Sequence, residues 1–368
     1  MRTALYPFHI ALGAKMIDFC GWEMPLQYSG MLQEHLQVRA HGGLFDLSHM
    51  GVIAVEGEEA EPFLDYLSTN VVAGKRPGQA VYTLFCTEKG TCLEDLIVYK
   101  QQQNRFFLVV NACNREKVFA HLNRFKDPYR VAVQNKFEEL GIVSIQGPAV
   151  QVLIERLFPR LEPFNYMHFQ ETEWEGKRAI VSRTGYTGEL GYEIFASNDL
   201  LPRVWEALVQ EGIPLEITPA GLGARDTLRL EMGYALYGHE IDETLYPTES
   251  VASWAVKLSK GKFLGCEGVR AAAQVLQRVE QGVILQGQQI ARAGAPVYFR
   301  GQPFGKVTSG GYSPMLQKAI ALVLLEKKLD EGDSVEIQIR QHLVVAEVVK
   351  HPFYKKQTDE IRRDTRVD

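Results

Sequence analysis

The chain has 368 residues, and at roughly 100–200 residues per domain it is expected to hold two or three domains rather than one. Hydrophobic residues at 46% and charged residues at 23% exclude global disorder, a collagen-like chain and a coiled coil. The formal net charge of -5, from 40 Lys+Arg against 45 Asp+Glu, lacks the basic surplus of a general nucleic-acid binder.

The amino-terminal stretch has no sustained apolar run followed by a small-residue cleavage site, and no segment approaches the roughly 18 apolar residues of a membrane-crossing helix. A soluble, cytoplasmic protein is expected. The five cysteines are odd in number and include no C-x-x-C pair, which argues against a structural zinc site or a disulfide framework.

In chain order, Ser29 to Ala40 reads as an amphipathic helix whose stripe of Leu32, His35, Leu36 and Arg39 is only half apolar, stopped by Gly42 and Gly43 as a glycine C-cap. A strand over Val52 to Val55, a turn and a helix follow. AVYTLFC and CLEDLIVYK, separated by Thr-Glu-Lys-Gly-Thr, predict a hairpin. Arg105 to Asn111 is a further strand and Asn114 to Lys126 a helix with Val118, Leu122 and Phe125 on one side. LGIVSIQGP is a strand into a turn. Val150 to Leu157 is a short helix, the glycine-rich run from Arg178 to Phe195 a hairpin-like pair, and Asp199 to Glu211 a helix. Thr218-Pro219 reads as an N-cap and first helical position, opening a helix to Met232. Beyond Pro247, helical periodicity is confined to about Glu267–Leu276. The rest is short strands broken by Gly and Pro, the pattern of a small closed or sandwich-like β domain, before a charged tail expected to fray.

Three constellations can carry chemistry. The acidic pair Glu94-Asp95 lies within a strand pattern, where alternation puts Asp95 with Leu93, Ile97 and Tyr99, and Glu94 with Leu96 and Val98. Either the pair is wet, at the strand's start, or one carboxyl is buried with a raised pKa suited to proton traffic. In the run Arg183 to Phe195, Glu193 points away from the apolar face of Leu190, Tyr192 and Ile194, beside Gly191. That is a floor for a flat ligand with adjacent N–H donors, or a solvated hairpin face. On the helix from Pro219, Arg225 and Arg229 fall within an apolar stripe with Leu222, Leu228 and Met232. They would meet an anion, or snorkel at its edge. Tyr82, on alternation alone, is a packing residue. Asp46, Ser48 and His49 are not expected to form a triad, and His35, His41 and His49 lack the spacing of a zinc helix.

Several phrases occur in order: Phe19-Cys-Gly-Trp-Glu-Met-Pro25, Leu44-Phe-Asp-Leu-Ser-His-Met50, Leu93-Glu-Asp-Leu-Ile-Val98, Gly185-Tyr-Thr-Gly-Glu189, Ala224-Arg-Asp-Thr-Leu-Arg-Leu-Glu231, Leu236-Tyr-Gly-His-Glu-Ile-Asp242 and Val307-Thr-Ser-Gly310. Together they resemble the glycine cleavage system T protein family, the tetrahydrofolate-dependent aminomethyltransferases, from about residue 3 to 353. The resemblance implies an α+β fold of three domains in a cloverleaf around a central folate pocket, the last β-rich. The resemblance implies a first domain interrupted by the second, and texture breaks near 52, 138 and 247 suit that plan, with residues 1–51 and 139–246 as the first domain, 52–138 as the inserted second and 247–368 as the third. It implies Asp95 as the catalytic carboxylate, the usual Asp before it being Glu94 here. Glu193 and Arg225 are implied as folate contacts, with Tyr82, Met50, Asn111 and Tyr186 lining the pocket. The carboxy-terminal phrase departs from the pattern, leaving Tyr354 as the candidate contact from that end. The implied activity is transfer of a methylene group from the aminomethyl-lipoyl H protein to tetrahydrofolate with release of ammonia. No metal, membrane or nucleic acid is implied. Two alternatives share the fold: a folate-dependent demethylase of an N- or S-methyl donor, and a non-enzymatic folate-binding maintenance protein.

Overall fold

The computed structural model describes residues 1–355; the tail expected to fray lies almost wholly outside them. The described residues form two units, one of Met1–His49, Glu138–Arg229, Tyr354 and Lys355, the other of Met50–Phe137 and Leu230–Phe353. The fold is α+β.

The first unit is built on a six-stranded sheet in the order Phe169–Trp174, Lys177–Ser182, Gly191–Ser197, Leu140–Gln146, Gly42–Asp46, Ile217–Pro219. All neighbours are antiparallel except the last pair. Leu44, Val143, Ile145, Val181, Tyr192 and Ile194 point to one face. Val150 and Leu153 of one helix, and Val204, Trp205 and Leu208 of helix Leu201–Gly212, cover it to make the core. Burying these side chains supplies the main driving force at about 25 cal/mol per Å² of apolar surface.

Two expectations fail here. Thr218 and Pro219 do not open a helix. They pair in parallel with Gly43 and Leu44, and the helix begins at Leu222. Proline is tolerated because this strand is at the sheet's edge. Gly42 and Gly43 do not cap the preceding helix, which runs Met31–Ala40; they already belong to the strand Gly42–Asp46. Their small size is required by close packing, since a Cβ on Gly43 would meet Val38 Cγ2 at 2.5 Å. A hairpin of Lys15–Phe19 and Trp22–Gln27, turning at Cys20 and Gly21 with positive φ, carries no alternation strong enough to be foreseen.

The second unit contains a five-stranded antiparallel sheet in the order Gln79–Cys86, Cys92–Gln102, Arg105–Val110, Gly51–Glu56, Ala132–Asn135. Helices Ala60–Leu67 and Arg115–Phe125 pack on it through Phe63, Leu64, Leu67, Val118 and Leu122. It also contains a closed six-stranded barrel. Strand Val279–Leu285 pairs on one side with Lys318–Leu325 and on the other with His342–Val349, so no edge remains. Val283, Val297, Val307, Val323, Ile337 and Val348 fill it. Among the described residues, no helix is long and apolar enough to cross a membrane.

Candidate active site

In the second unit the acidic pair sits where the hairpin register slips. Leu84 pairs with Asp95 and Phe85 with Glu94, but Cys86 pairs with Cys92, which leaves Leu93 as the extra residue of a bulge. Leu93 therefore joins Leu96 and Val98 in the core, rather than sharing a face with Asp95 as alternation predicts. Glu94 is fully buried, while Asp95 is half-buried.

Asp95 receives one donor on each oxygen. Tyr82 Oη donates to Oδ2 at 3.0 Å and Asn111 Nδ2 to Oδ1 at 2.9 Å. Burial pushes the Asp95 carboxyl above the ordinary aspartate range, the two hydrogen bonds oppose it, and the charge of the buried Glu240 adds to the rise. Burial, together with the neighbouring Asp95 charge, pushes Glu94 up as well. Tyr82 is thus more than a packing residue. Its ring also stacks on Trp254, at 5.3 Å between centroids, and Trp254 is 60% exposed. Sequence reasoning passed over Trp254, which lies in a one-turn helix with no periodicity to mark it. Half-buried Met50 precedes Gly51, whose strand partner is Val110, so Met50 and Asn111 extend from the same end of neighbouring strands.

In the first unit, strand Gly191–Ser197 places Tyr192 and Ile194 in the core and turns Glu193 to the other face, as expected. Glu193 is 8% exposed and accepts a hydrogen bond from Thr184 Oγ1. The space beside it is not an open floor. The Gln146 carboxamide lies where side chains on Gly185 and Gly191 would go, within 2.2–2.3 Å of each Cβ position. Gln146 uses that position to accept from Thr187 Oγ1 at 2.9 Å and to donate to the Thr184 carbonyl at 3.3 Å. The glycines therefore admit a protein amide that fastens the loop 183–190.

Arg39 fastens the same loop from the other side. It donates to the Thr187 carbonyl at 2.7 Å and to Glu189 Oε1 at 2.9 Å, and its guanidinium lies 4.6 Å from the ring centre of Tyr354. The loop carries Tyr186, over whose ring the Arg225 guanidinium sits at 4.6 Å. Burial lowers the Arg225 pKa, while Tyr186 and Glu193 oppose that electrostatically. Among the described residues Arg225 has no carboxylate in an ion pair, whereas Arg229 pairs with Asp226 at 2.8 Å.

The structure thus brings Asp95, Tyr82 and Asn111 together in one unit and Glu193, Arg225 and Tyr186 together in the other. Asp46, Ser48 and His49 form no triad. Asp46 accepts from Thr3 Oγ1 at 2.6 Å and bonds His9 Nε2 at 3.0 Å, while Ser48 Oγ is engaged by the Ile142 backbone.

The model of the GCVT N-terminal domain matches residues 5–260, and that of the glycine cleavage T-protein C-terminal barrel domain matches residues 278–355. The chain belongs to the glycine cleavage T-protein family. Among its T-protein relatives, the aminomethyltransferase of Pseudothermotoga lettingae is 42% identical over 355 residues, which cover 96% of this chain and 98% of that one. The aminomethyltransferase of Chloroherpeton thalassium is 43% identical over 357 residues, covering 96% and 99%. The crystal structure of the glycine cleavage system aminomethyltransferase T from Bartonella henselae superposes with a TM-score of 0.90 at 33% identity, covering 97% of this chain and 98% of that one. The T-protein barrel domain of the family is the closed barrel described above.

Proposed function

We propose that this chain transfers the methylene carbon of an aminomethyl group, carried on the lipoyl sulfur of the H protein, to tetrahydrofolate. The carbon exchanges its bonds to nitrogen and sulfur for two bonds to folate nitrogens. The two folate N–H protons end on ammonia and on the lipoyl thiol, so the reaction needs no oxidant. The observation that carries the reading is Asp95, a half-buried carboxyl held by Tyr82 and Asn111 in a chain 42% identical to an aminomethyltransferase.

The chemistry asks for a nucleophilic folate amine, an electrophilic carbon close to it, and exclusion of the water that would release formaldehyde. A poorly solvated carboxylate supplies the first need by accepting a proton or hydrogen bond from the amine, and it stabilises positive charge as it develops. Positioning and dryness supply the others. The Glu193 carboxylate suits the adjacent N–H donors of a pterin edge. Arg225, over the Tyr186 ring and beside Glu193, suits an anionic or carbonyl group of the folate, with Met50, Tyr82, Asn111 and Tyr186 as further contacts. The division at 51/52, 138/139 and 246/247 goes with this reading, since the five-stranded sheet and the barrel each own a separate core. A cytoplasmic location goes with this reading.

The test is ammonia release from aminomethyl-loaded H protein with and without tetrahydrofolate. Fast release that requires both substrates is expected. Release independent of folate, or none, overturns the assignment.

A further inference from the structure

Glu94 is fully buried, and among the described residues no cation pairs with it. Among the described residues its partners are three amide N–H groups. Oε1 accepts from the backbone N–H of Asn111 at 2.7 Å and from Asn111 Nδ2 at 2.9 Å, and Oε2 accepts from Asn114 Nδ2. A carboxyl in such a place is costly to desolvate, and three amide donors answer it where a cation would ordinarily stand. What Glu94 achieves is orientation. The Asn111 carboxamide has two N–H hydrogens on one nitrogen, and that nitrogen meets Glu94 Oε1 and Asp95 Oδ1, both at 2.9 Å.

Alternation turns the two carboxyls to opposite faces of their strand, and Asn111, at the end of the neighbouring strand, reaches both. With its backbone N–H and its side chain bonded to the same Glu94 oxygen, Asn111 cannot turn its carboxamide end for end. A turned carboxamide would set Oδ1 against the Asp95 carboxylate, acceptor against acceptor. We propose that Glu94 is a positioning residue for Asp95, acting through the Asn111 carboxamide and braced by Asn114. The inference rests on the proposed role of Asp95.

The test compares Glu94→Leu, Glu94→Gln, Asn111→Ala and the double variant Glu94→Leu/Asn111→Ala in steady-state methylenetetrahydrofolate formation, with thermal melting beside it and Asp95→Asn as reference. Glu94→Leu is expected to lower kcat ~10-fold or more with KM for tetrahydrofolate changed less than ~threefold, since small misplacements near reacting atoms are costly. The variant leaves the Asn111 N–H and the Asn114 carboxamide without their acceptor, so its melting temperature should fall; turnover is therefore read well below that melting temperature, where the chain is fully folded, which separates positioning from folding. Glu94→Gln should keep kcat within ~threefold of wild type. Its Oε1 still accepts from Asn111, and the Asn114 carboxamide can turn to offer its oxygen. On the Asn111→Ala background, Glu94→Leu should add nothing further.

Wild-type kcat in Glu94→Leu, or a fully multiplicative loss in the double variant, overturns the inference. If Glu94→Leu does not fold, Asn114→Ala replaces it in the same cycle, with the same non-additivity expected and full additivity overturning it. Normal turnover in Asp95→Asn would sink the Asp95 assignment itself. An inactive Asp95→Asn beside a fully active Glu94→Leu sinks only the positioning role.

Discussion

Asp95→Asn keeps size and hydrogen-bonding capacity but removes basicity. It should lower turnover about 10²-fold or more, the range of general acid–base help. Because burial raises the Asp95 carboxyl, the acid limb of the wild-type turnover profile should lie above the ordinary aspartate value of about 3.9, with activity lost as pH falls. The Tyr82 hydroxyl holds that pKa down, so Tyr82→Phe should move the limb to higher pH. A limb that stays in place would show that Asp95 does not set it. Glu193→Gln should weaken tetrahydrofolate binding by about 1.5–3 kcal/mol, the scale of a hydrogen bond to a charged group, with calorimetry as the measurement. At this scale the sequence names side chains but not their partners. Asp95 and Glu193 were legible as carboxyls in strand patterns. Asn111 bonding both members of the acidic pair was not, because strand register alone brings residues 16 and 17 positions apart together.

The loop 183–190 shows how elements differ from the local signals that announce them. Its glycines suggest an opening for a ligand, yet the Gln146 carboxamide, on a strand 39 residues before Gly185, occupies the space. Gly191→Ala should therefore destabilise the protein by about 1–3 kcal/mol through overpacking, read from chemical denaturation. Shortening Gln146 to Ala in the same chain should recover part of the loss; equal losses in single and double variants would mean that the carboxamide is not the obstacle. Long-periodicity elements such as Val150–Leu157 and Leu201–Gly212 matched their pattern closely. Thr218-Pro219 did not, since a helix-start signal and an edge-strand position accept the same residues, and the parallel partner lies at Gly43 and Leu44. The bulge at Leu93 likewise depends on the pairing of Cys86 with Cys92, which no single-strand pattern contains.

At the scale of the whole molecule, burial of acids makes stability depend on pH. Glu280, on the first barrel strand, is buried and accepts from the Val251 N–H at 2.8 Å; desolvation and the charge of Glu240 push its carboxyl well up. A carboxyl raised in the folded state favours folding most at low pH, and that contribution is lost as pH rises through the raised value. Glu280→Gln keeps the acceptor for Val251 but cannot ionise. Its melting temperature relative to wild type should therefore rise between about pH 5 and about pH 8, and a constant difference would sink this account. The family's two-part match, α+β followed by a barrel, is visible in the change of texture after Pro247; that texture fits a closed and a sandwich-like domain equally, because closure depends on pairing between its first and last strands. That pairing sets a schedule for synthesis. Strand Val279–Leu285 leaves the ribosome some 60 residues ahead of His342–Val349, the partner of one of its edges. At roughly 5–20 residues per second the nascent barrel holds an open, apolar edge for several seconds, a window in which a chaperone or a neighbouring chain can pair with it.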